Sequence, residues 1–293
     1  MQLLTPLHWK TYQLIDSGGF EKLERFGDYV LTRPEPQAAW DKSLSAQEWE
    51  KQSDAIFKKE KGNSEKGEWM VRKNTPERWT MSYQHEKLNL HFKIALSSFK
   101  HVGLFPEQAT NWDYIQEKIL KLPVQQPKVL NLFAYTGVAS LAAKAMGAEV
   151  THVEAIKQTI NWARENMELS KLDNIRWIVE DAVKFVKREI RRGNKYQGII
   201  LDPPAYGRGP DGEKWVLEEG INELLKDCAQ LLDPVNHFLI LNMYSMGFSS
   251  LIVENLVQTT FQSIKNKECG ELFLEDSFHK KLPLGVFYRF STV

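Results

Sequence analysis

The most chemically specific run in the chain is Asp202-Pro203-Pro204-Ala205-Tyr206-Gly207. Two successive prolines fix their own φ and remove two backbone donors, leaving outward carbonyls on a rigid turn. With Asp202 before it and Tyr206 behind it, such a turn can grip a planar acceptor through Asp202, Pro203 and Pro204 and stack it on the Tyr206 ring. A purely structural turn would need neither the acid nor the ring. A second run, Asn131 to Gly137, brings Phe133, Ala134, Tyr135, Thr136 and Gly137 into a tight turn. There backbone can approach a ligand and helix N-terminal amides can point at it. The three glycines of G-x-G-x-x-G are missing, which argues against a nicotinamide dinucleotide. Glu154 offers a carboxylate that accepts from both hydroxyls of a ribose, or else caps the next helix. Asp181 can accept the exocyclic amine of adenine while the amide of Ala182 meets a ring nitrogen. As an N-cap it would also satisfy the following helix, and the two roles are compatible.

These residues share one kind of address. From Lys128 onward, apolar runs of strand length alternate with helical segments: Val129 to Phe133, Glu149 to Val153, Arg176 to Val179, Gly198 to Leu201 and His237 to Asn242. Near-continuous Val, Ile and Leu strands, each followed by a helix, imply a parallel sheet covered on both faces. Two further strands, Glu271 to Glu275 and Gly285 to Phe290, have no helix between them and should close one edge as an antiparallel pair. The expected fold is therefore α/β, a doubly wound and mostly parallel seven-stranded sheet over 128–293. Ligands of such sheets bind outside the carboxyl ends of the strands, where the motifs lie. Residues 1–95 read as a small β-rich domain, with strand-like WKTYQLID, DYVLTRP, EWMVRK, RWTMSY and LNLHFKIAL, and 96–127 as a connecting segment over the ligand site. Ser43 to Lys66 shows helical spacing at Trp49, Ile56 and Phe57 and ends in the charged KKEKGNSEKG.

Composition narrows the partners. Lys plus Arg total 38 and Asp plus Glu total 38, so any nucleic-acid contact must come from a local patch. Lys184, Lys187, Arg188, Arg191, Arg192 and Lys195 form one basic run, which reads as phosphate contacts or as a solvated helix face. Arg208 and Lys214, in the loop GRGPDGEKW behind the proline turn, are better placed to meet a substrate, and that loop could close as a lid. Cys228 and Cys269 are too few for a disulfide scaffold and wrongly spaced for zinc, so no metal and a reducing cytoplasm are expected. The long uncharged stretch, Pro234 to Val253, holds Asn236, His237, Asn242, Ser245, Ser249 and Ser250, polar groups that exclude it as a membrane span.

Together these strand ends resemble the class I S-adenosylmethionine-dependent methyltransferases. More narrowly, VLNLFAYTGVASLAA, VEAIKQTINWARENMELSKL, EDAVKFVKRE and ILDPPAYGRG resemble the large-subunit ribosomal RNA base methyltransferases that carry a small N-terminal β domain. The likeness runs from about Leu90, including HFKIALSSFKHVGLFPEQ, to the C-terminus. It implies S-adenosylmethionine as cofactor, held by Phe133 to Gly137, Glu154, Asp181 and Asp202. Gln108 approaches it from the preceding segment, with Lys100 and His101 near the substrate. It also implies an RNA partner, ribosomal RNA first. Two features depart from the family. Members that methylate cytosine C5 offer a cysteine after strand five, where this chain has Asn242-Met243-Tyr244-Ser245; a cysteine-dependent mechanism is therefore not expected. Ala205 also separates the prolines from Tyr206, whereas amino-methylating enzymes commonly place the aromatic directly after D-P-P. A methyltransferase of a protein or small molecule, and a non-catalytic cofactor-binding module, are the alternative readings.

Overall fold

The computed structural model describes all of the 293 residues except 61, 63, 64, 73, 245, 246 and 263. Its first part is strand-rich: β1 (Gln2–Leu4), β2 (Tyr12–Gly18), β3 (Glu21–Phe26), β4 (Tyr29–Pro34), α1 (Ala46–Gln52), β5 (Ala55–Lys59), β6 (Gly67–Val71), β7 (Arg78–His85) and β8 (Leu88–Ala95). A 3-10 turn, Pro106–Gln108, then leads into α2 (Ala109–Lys121). Strand and helix alternate from there: β9 (Lys128–Leu132), α3 (Val138–Ala145), β10 (Glu149–Glu154), α4 (Lys157–Leu169), β11 (Ile175–Val179), α5 (Ala182–Arg191) and β12 (Gly198–Leu201). After β12 come a short hairpin, β13 (Tyr206–Arg208) and β14 (Lys214–Val216), then α6 (Leu217–Leu231), β15 (Phe238–Met243), α7 (Ser250–Thr260), β16 (Glu268–Glu275) and β17 (Lys281–Ser291).

The main sheet runs β1-β16-β17-β15-β12-β9-β10-β11. Its five strands from β15 to β11 are parallel, and β17 pairs antiparallel with both β15 and β16. The seven expected strands are all present, and an eighth, β1, adds in parallel to β16 at the edge. Alternation along each strand divides the core. Ile199, Leu201, Leu239 and Leu241 face one cluster with residues of α5, α6 and α7. Ile200, Phe238 and Ile240 face the other, with residues of α2, α3, β7 and β8. Burial on both faces is why these strands carry no polar alternation. The second cluster continues into Tyr12, Leu14, Phe26 and Leu31, so the N-terminal strands and one face of the main sheet share a core.

The N-terminal strands form a five-stranded sheet, β2-β3-β4-β5-β6, and a hairpin, β7-β8. The helical spacing over Ser43 to Lys66 is corrected here: only α1 is helical, capped by Ser45 with a capping box to Glu48. Its C-cap Ser53 is extended, and Ile56 and Phe57 then enter β5, pairing with Met70 and Trp69. Lys61, Asn63 and Ser64 of KKEKGNSEKG lie outside the described residues. The segment Pro234 to Val253, apart from 245 and 246, is divided among a turn, β15 and the start of α7. Among the described residues no helix is long and apolar enough to cross a membrane.

Candidate active site

β9 is central, with β10 on one side and β12 on the other, so the strand order reverses at β9 and β12 and a crevice opens beyond their carboxyl ends. The cleft there holds about 520 Å³ including its open mouth; Gln108, Phe133 to Gly137 and Asp202 are among the residues lining it. The turn after β9 bends sharply because Phe133, Tyr135 and Gly137 have φ of 55°, 49° and 85°. Left-handed backbone at two non-glycine residues costs on the order of 1–3 kcal/mol each and persists only where surroundings over-determine it. Four hydrogen bonds do so. Ala134 N donates to Val153 O (3.1 Å), Tyr135 N to Glu154 Oε2 (3.0 Å), Thr136 Oγ1 to Gly103 O (2.8 Å) and Asn166 Nδ2 to Thr136 O (2.9 Å). At Gly137 a Cβ would sit 3.1 Å from Ala163 Cβ and 3.3 Å from the His152 ring. Below the turn Asn131 Nδ2 donates to Ser140 Oγ, which pairs with His152 Nδ1 at 3.1 Å. Burial pushes the His152 imidazole down to about 3, so it is a neutral part of the scaffold.

Glu154 ends β10. Its oxygens accept from Tyr135 N and Ile156 N, both at 3.0 Å, with the Ala155 amide also directed at the carboxylate, which ties the turn to the start of α4. Desolvation raises its pKa, against those amide hydrogen bonds. Asp181 is the N-cap of α5 and accepts from Lys184 N at 2.9 Å, with Ala182 buried behind it. Asp202 lies at the tip of β12, where Asn242 Nδ2 donates to Oδ1 (3.0 Å) and Gln108 Nε2 approaches Oδ2 (3.3 Å). Desolvation pushes its carboxyl up to about 6, opposed by the Asn242 hydrogen bond.

Behind Asp202, the Pro204 carbonyl accepts from Trp215 Nε1 at 2.7 Å, which leaves it one lone pair for a ligand. The loop read as Gly-rich is in fact the hairpin β13-β14, whose Trp215 packs against Phe133 with ring centroids 5.1 Å apart. Tyr206 opens that hairpin and is 53% exposed, so its ring face is accessible; Arg208 and Lys214 pair across its two strands, both exposed. Lys100 and His101 meet Glu65 instead of open solvent, at 2.8 and 2.9 Å. The basic run along α5 is partly neutralised: Lys184 pairs with Glu213 and Asp211, Arg188 with Glu180 (2.5 Å) and Arg192 with Glu189 (3.0 Å). Cys228 is fully buried in α6, and Cys269 on β16 bonds toward Ser250 O at 3.7 Å. Burial raises both thiols.

Other polar groups lie close behind the lining of the cleft: Asn242 bonds Asp202, and Glu107 adjoins Gln108 in sequence. Asn242 Oδ1 is buried and has no hydrogen-bond partner among the described residues. Glu107 is buried and its carboxyl is pushed up to about 7, mainly by desolvation, with Lys22 opposing and Asp202 and Glu24 adding to it. Tyr244, just past β15, donates to Glu35 Oε1 at 2.6 Å, and Glu35 joins a buried set with Lys22, Glu24 and Arg33. Asn242 was legible as a polar residue ending the apolar strand FLILNM; the β3 and β4 charges carried no such signal. Ser245 lies outside the described residues.

Asp202 and the Phe133 to Gly137 turn line the cleft, while Glu154 at the end of β10 and Asp181 just past β11 stand at the same edge of the sheet but are not among its lining residues. Comparison with known proteins gives the family. The family of S-adenosylmethionine-dependent methyltransferases matches residues 46–264. A ribosomal RNA large subunit methyltransferase K/L from Shewanella frigidimarina is 30% identical over 161 residues, 54% of this chain; the chain spans 22% of that protein's length. A SAM-dependent methyltransferase from Agrobacterium tumefaciens superposes with a TM-score of 0.91 at 37% identity, covering all of this chain and 94% of that one. The protein SMU.776, complexed with SAH, superposes at 0.70 with 19% identity over 97% of this chain and 76% of that one, sharing the fold. The chain belongs to the S-adenosylmethionine-dependent methyltransferases, with the class I fold and S-adenosylmethionine as its methyl donor.

Proposed function

We propose that this enzyme methylates a base of RNA, ribosomal RNA first, at a nitrogen or oxygen and without a cysteine nucleophile. The observation that carries the reading is Asp202, fixed by Asn242 and Gln108 at the tip of β12, next to the proline turn and the exposed Tyr206 ring. The bound cofactor supplies an electrophilic methyl group on sulfur. Phe133 to Gly137 would curl around its amino acid part, Glu154 would use its remaining lone pairs on the ribose, and Asp181 with the Ala182 amide would meet the adenine. Gln108 would close over it. The Asp202 carboxylate and the Pro203 carbonyl would orient the acceptor, Asp202 would take up its proton, the remaining lone pair of Pro204 would accept a hydrogen bond from the acceptor, and Tyr206 would stack on the base. Such alignment is worth up to roughly 7–11 kcal/mol when donor and acceptor are held at near-attack distance.

An acceptor that is part of a folded RNA must be turned out of its stack, at a few kcal/mol. Arg208 and Lys214 supply exposed charge on the hairpin behind the proline turn, while Lys100 and His101 would reach a phosphate only on leaving Glu65. The name of the Shewanella relative favours ribosomal RNA as the acceptor, and the two unpaired thiols suit a reducing cytoplasm. The test is transfer of labelled methyl from S-adenosylmethionine to large-subunit ribosomal RNA, with nucleoside mass spectrometry of that RNA from cells with and without the gene. One modified base lost with the gene supports the proposal. Label entering only protein or a small molecule overturns it.

A further inference from the structure

Away from the cleft, three side chains from remote parts of the chain converge. His8 lies between β1 and β2, His85 ends β7, and Asp113 is on α2; all three are half-buried. Each offers one ligand atom within 4.8 Å of the other two. The two imidazoles stack with centroids 3.6 Å apart and planes 4° from parallel. Tyr83 Oη donates to Asp113, 2.9 Å from both carboxylate oxygens, and Glu86 lies 4.0 Å from His85 Nε2.

We propose that His8, His85 and Asp113 bind a divalent transition-metal ion, zinc by preference. Two imidazoles and a carboxylate are the donor set of borderline divalent metals, with a fourth position left for water. The Tyr83 hydroxyl on Asp113 is the outer partner that fixes such a carboxylate. Asp113 and, 4.0 Å from His85 Nε2, Glu86 place carboxylates beside the two rings. A cation in the cluster relieves the crowding of the acids.

The geometry also says what must move. Ligand atoms around one tetrahedral zinc sit about 3.3 Å apart at bond lengths of about 2.0–2.1 Å, and imidazole lone pairs lie in the ring plane. Loading therefore draws the three groups together and tilts one ring out of the stack. His8, outside any strand or helix, is the ring free to do so. The next residue, Trp9, donates through Nε1 to Pro106 O at 2.9 Å, in the turn that carries Gln108 to Asp202. The ion would pin the segment that buttresses this turn.

The test is calorimetric titration of zinc into chelator-stripped full-length chain near pH 7.5, with cobalt absorption as a ligand-sensitive second readout. One ion per chain is expected. His8→Ala and His85→Ala should each weaken binding by more than the roughly 10- to 100-fold that Tyr83→Phe, the loss of an outer partner, should cost. His279→Ala, at an exposed histidine beside Glu275, should change nothing. Affinity should fall as the pH is lowered, since protons compete with the metal for its ligands. No stoichiometric uptake, or uptake unchanged in both ligand variants, overturns the proposal. If His85→Ala does not fold, His8→Ala decides alone.

Discussion

Desolvation makes a carboxylate resist ionisation, and the carboxyl of Asp202, partly buried at the tip of β12, is pushed up to about 6 for that reason. Methyl transfer should rise between pH 5 and 7 as the group ionises, which a pH series of single-turnover rates will show. Its folded pKa lies above the ordinary value, so its contribution to stability is complete below about 4 and is lost as pH rises through about 6. Asp202→Asn should accordingly melt higher than the parent at pH 8 but not at pH 4, while transfer drops by about 100-fold or more. Thermal unfolding at the two pH values and a rate measurement check both. The placement of Asp202, Glu154 and Asp181 at or just past strand ends was legible because the acids follow apolar strands in sequence. Glu107 and Tyr244 were not: their surroundings come from Lys22, Glu24 and Glu35, more than sixty residues away in the chain, and no local pattern announces a partner on another sheet.

At the scale of elements, the cleft depends on how Gly103 seats the turn after β9. Its φ is 94°, its carbonyl accepts from Thr136, and a Cβ there would lie 2.1 Å from the Trp162 ring. Gly103→Ala should cost about 1–3 kcal/mol of stability and weaken S-adenosylmethionine binding, seen by denaturant unfolding and calorimetry. The alternating strands and helices from Lys128 onward were legible because burial on both faces leaves continuous apolar runs bounded by turns. β5 was not, because Trp49, Ile56 and Phe57 satisfy a helical period across the extended break at Ser53. The hairpin β13-β14 was hidden by its glycines. Backbone pairing, closed by Gly209 N donating to Glu213 O at 2.8 Å, makes a strand pair of that loop, and Trp215, packed on Phe133 and donating to the Pro204 carbonyl, anchors it to the site.

For the whole molecule, balanced charge means that RNA affinity should rest on few contacts, since acids already pair much of α5. Binding should weaken with salt, and Arg208→Ala with Lys214→Ala should flatten the log–log slope by about 0.7 per lost contact for single-stranded RNA. A slope unchanged by both would remove the hairpin from the RNA interface. The continuous core between the N-terminal strands and one face of the main sheet predicts that 1–95 and 128–293 unfold together, in one calorimetric transition. The central claim is that the donor lies across the tips of β9, β10 and β12 with its methyl group toward Asp202 and the proline turn. A crystal structure of the chain with S-adenosylmethionine tests it most directly. The expected result has Glu154 on the ribose hydroxyls and the Phe133 to Gly137 turn around the amino acid part; a nucleoside bound elsewhere, or Glu154 turned from the sugar, would contradict it.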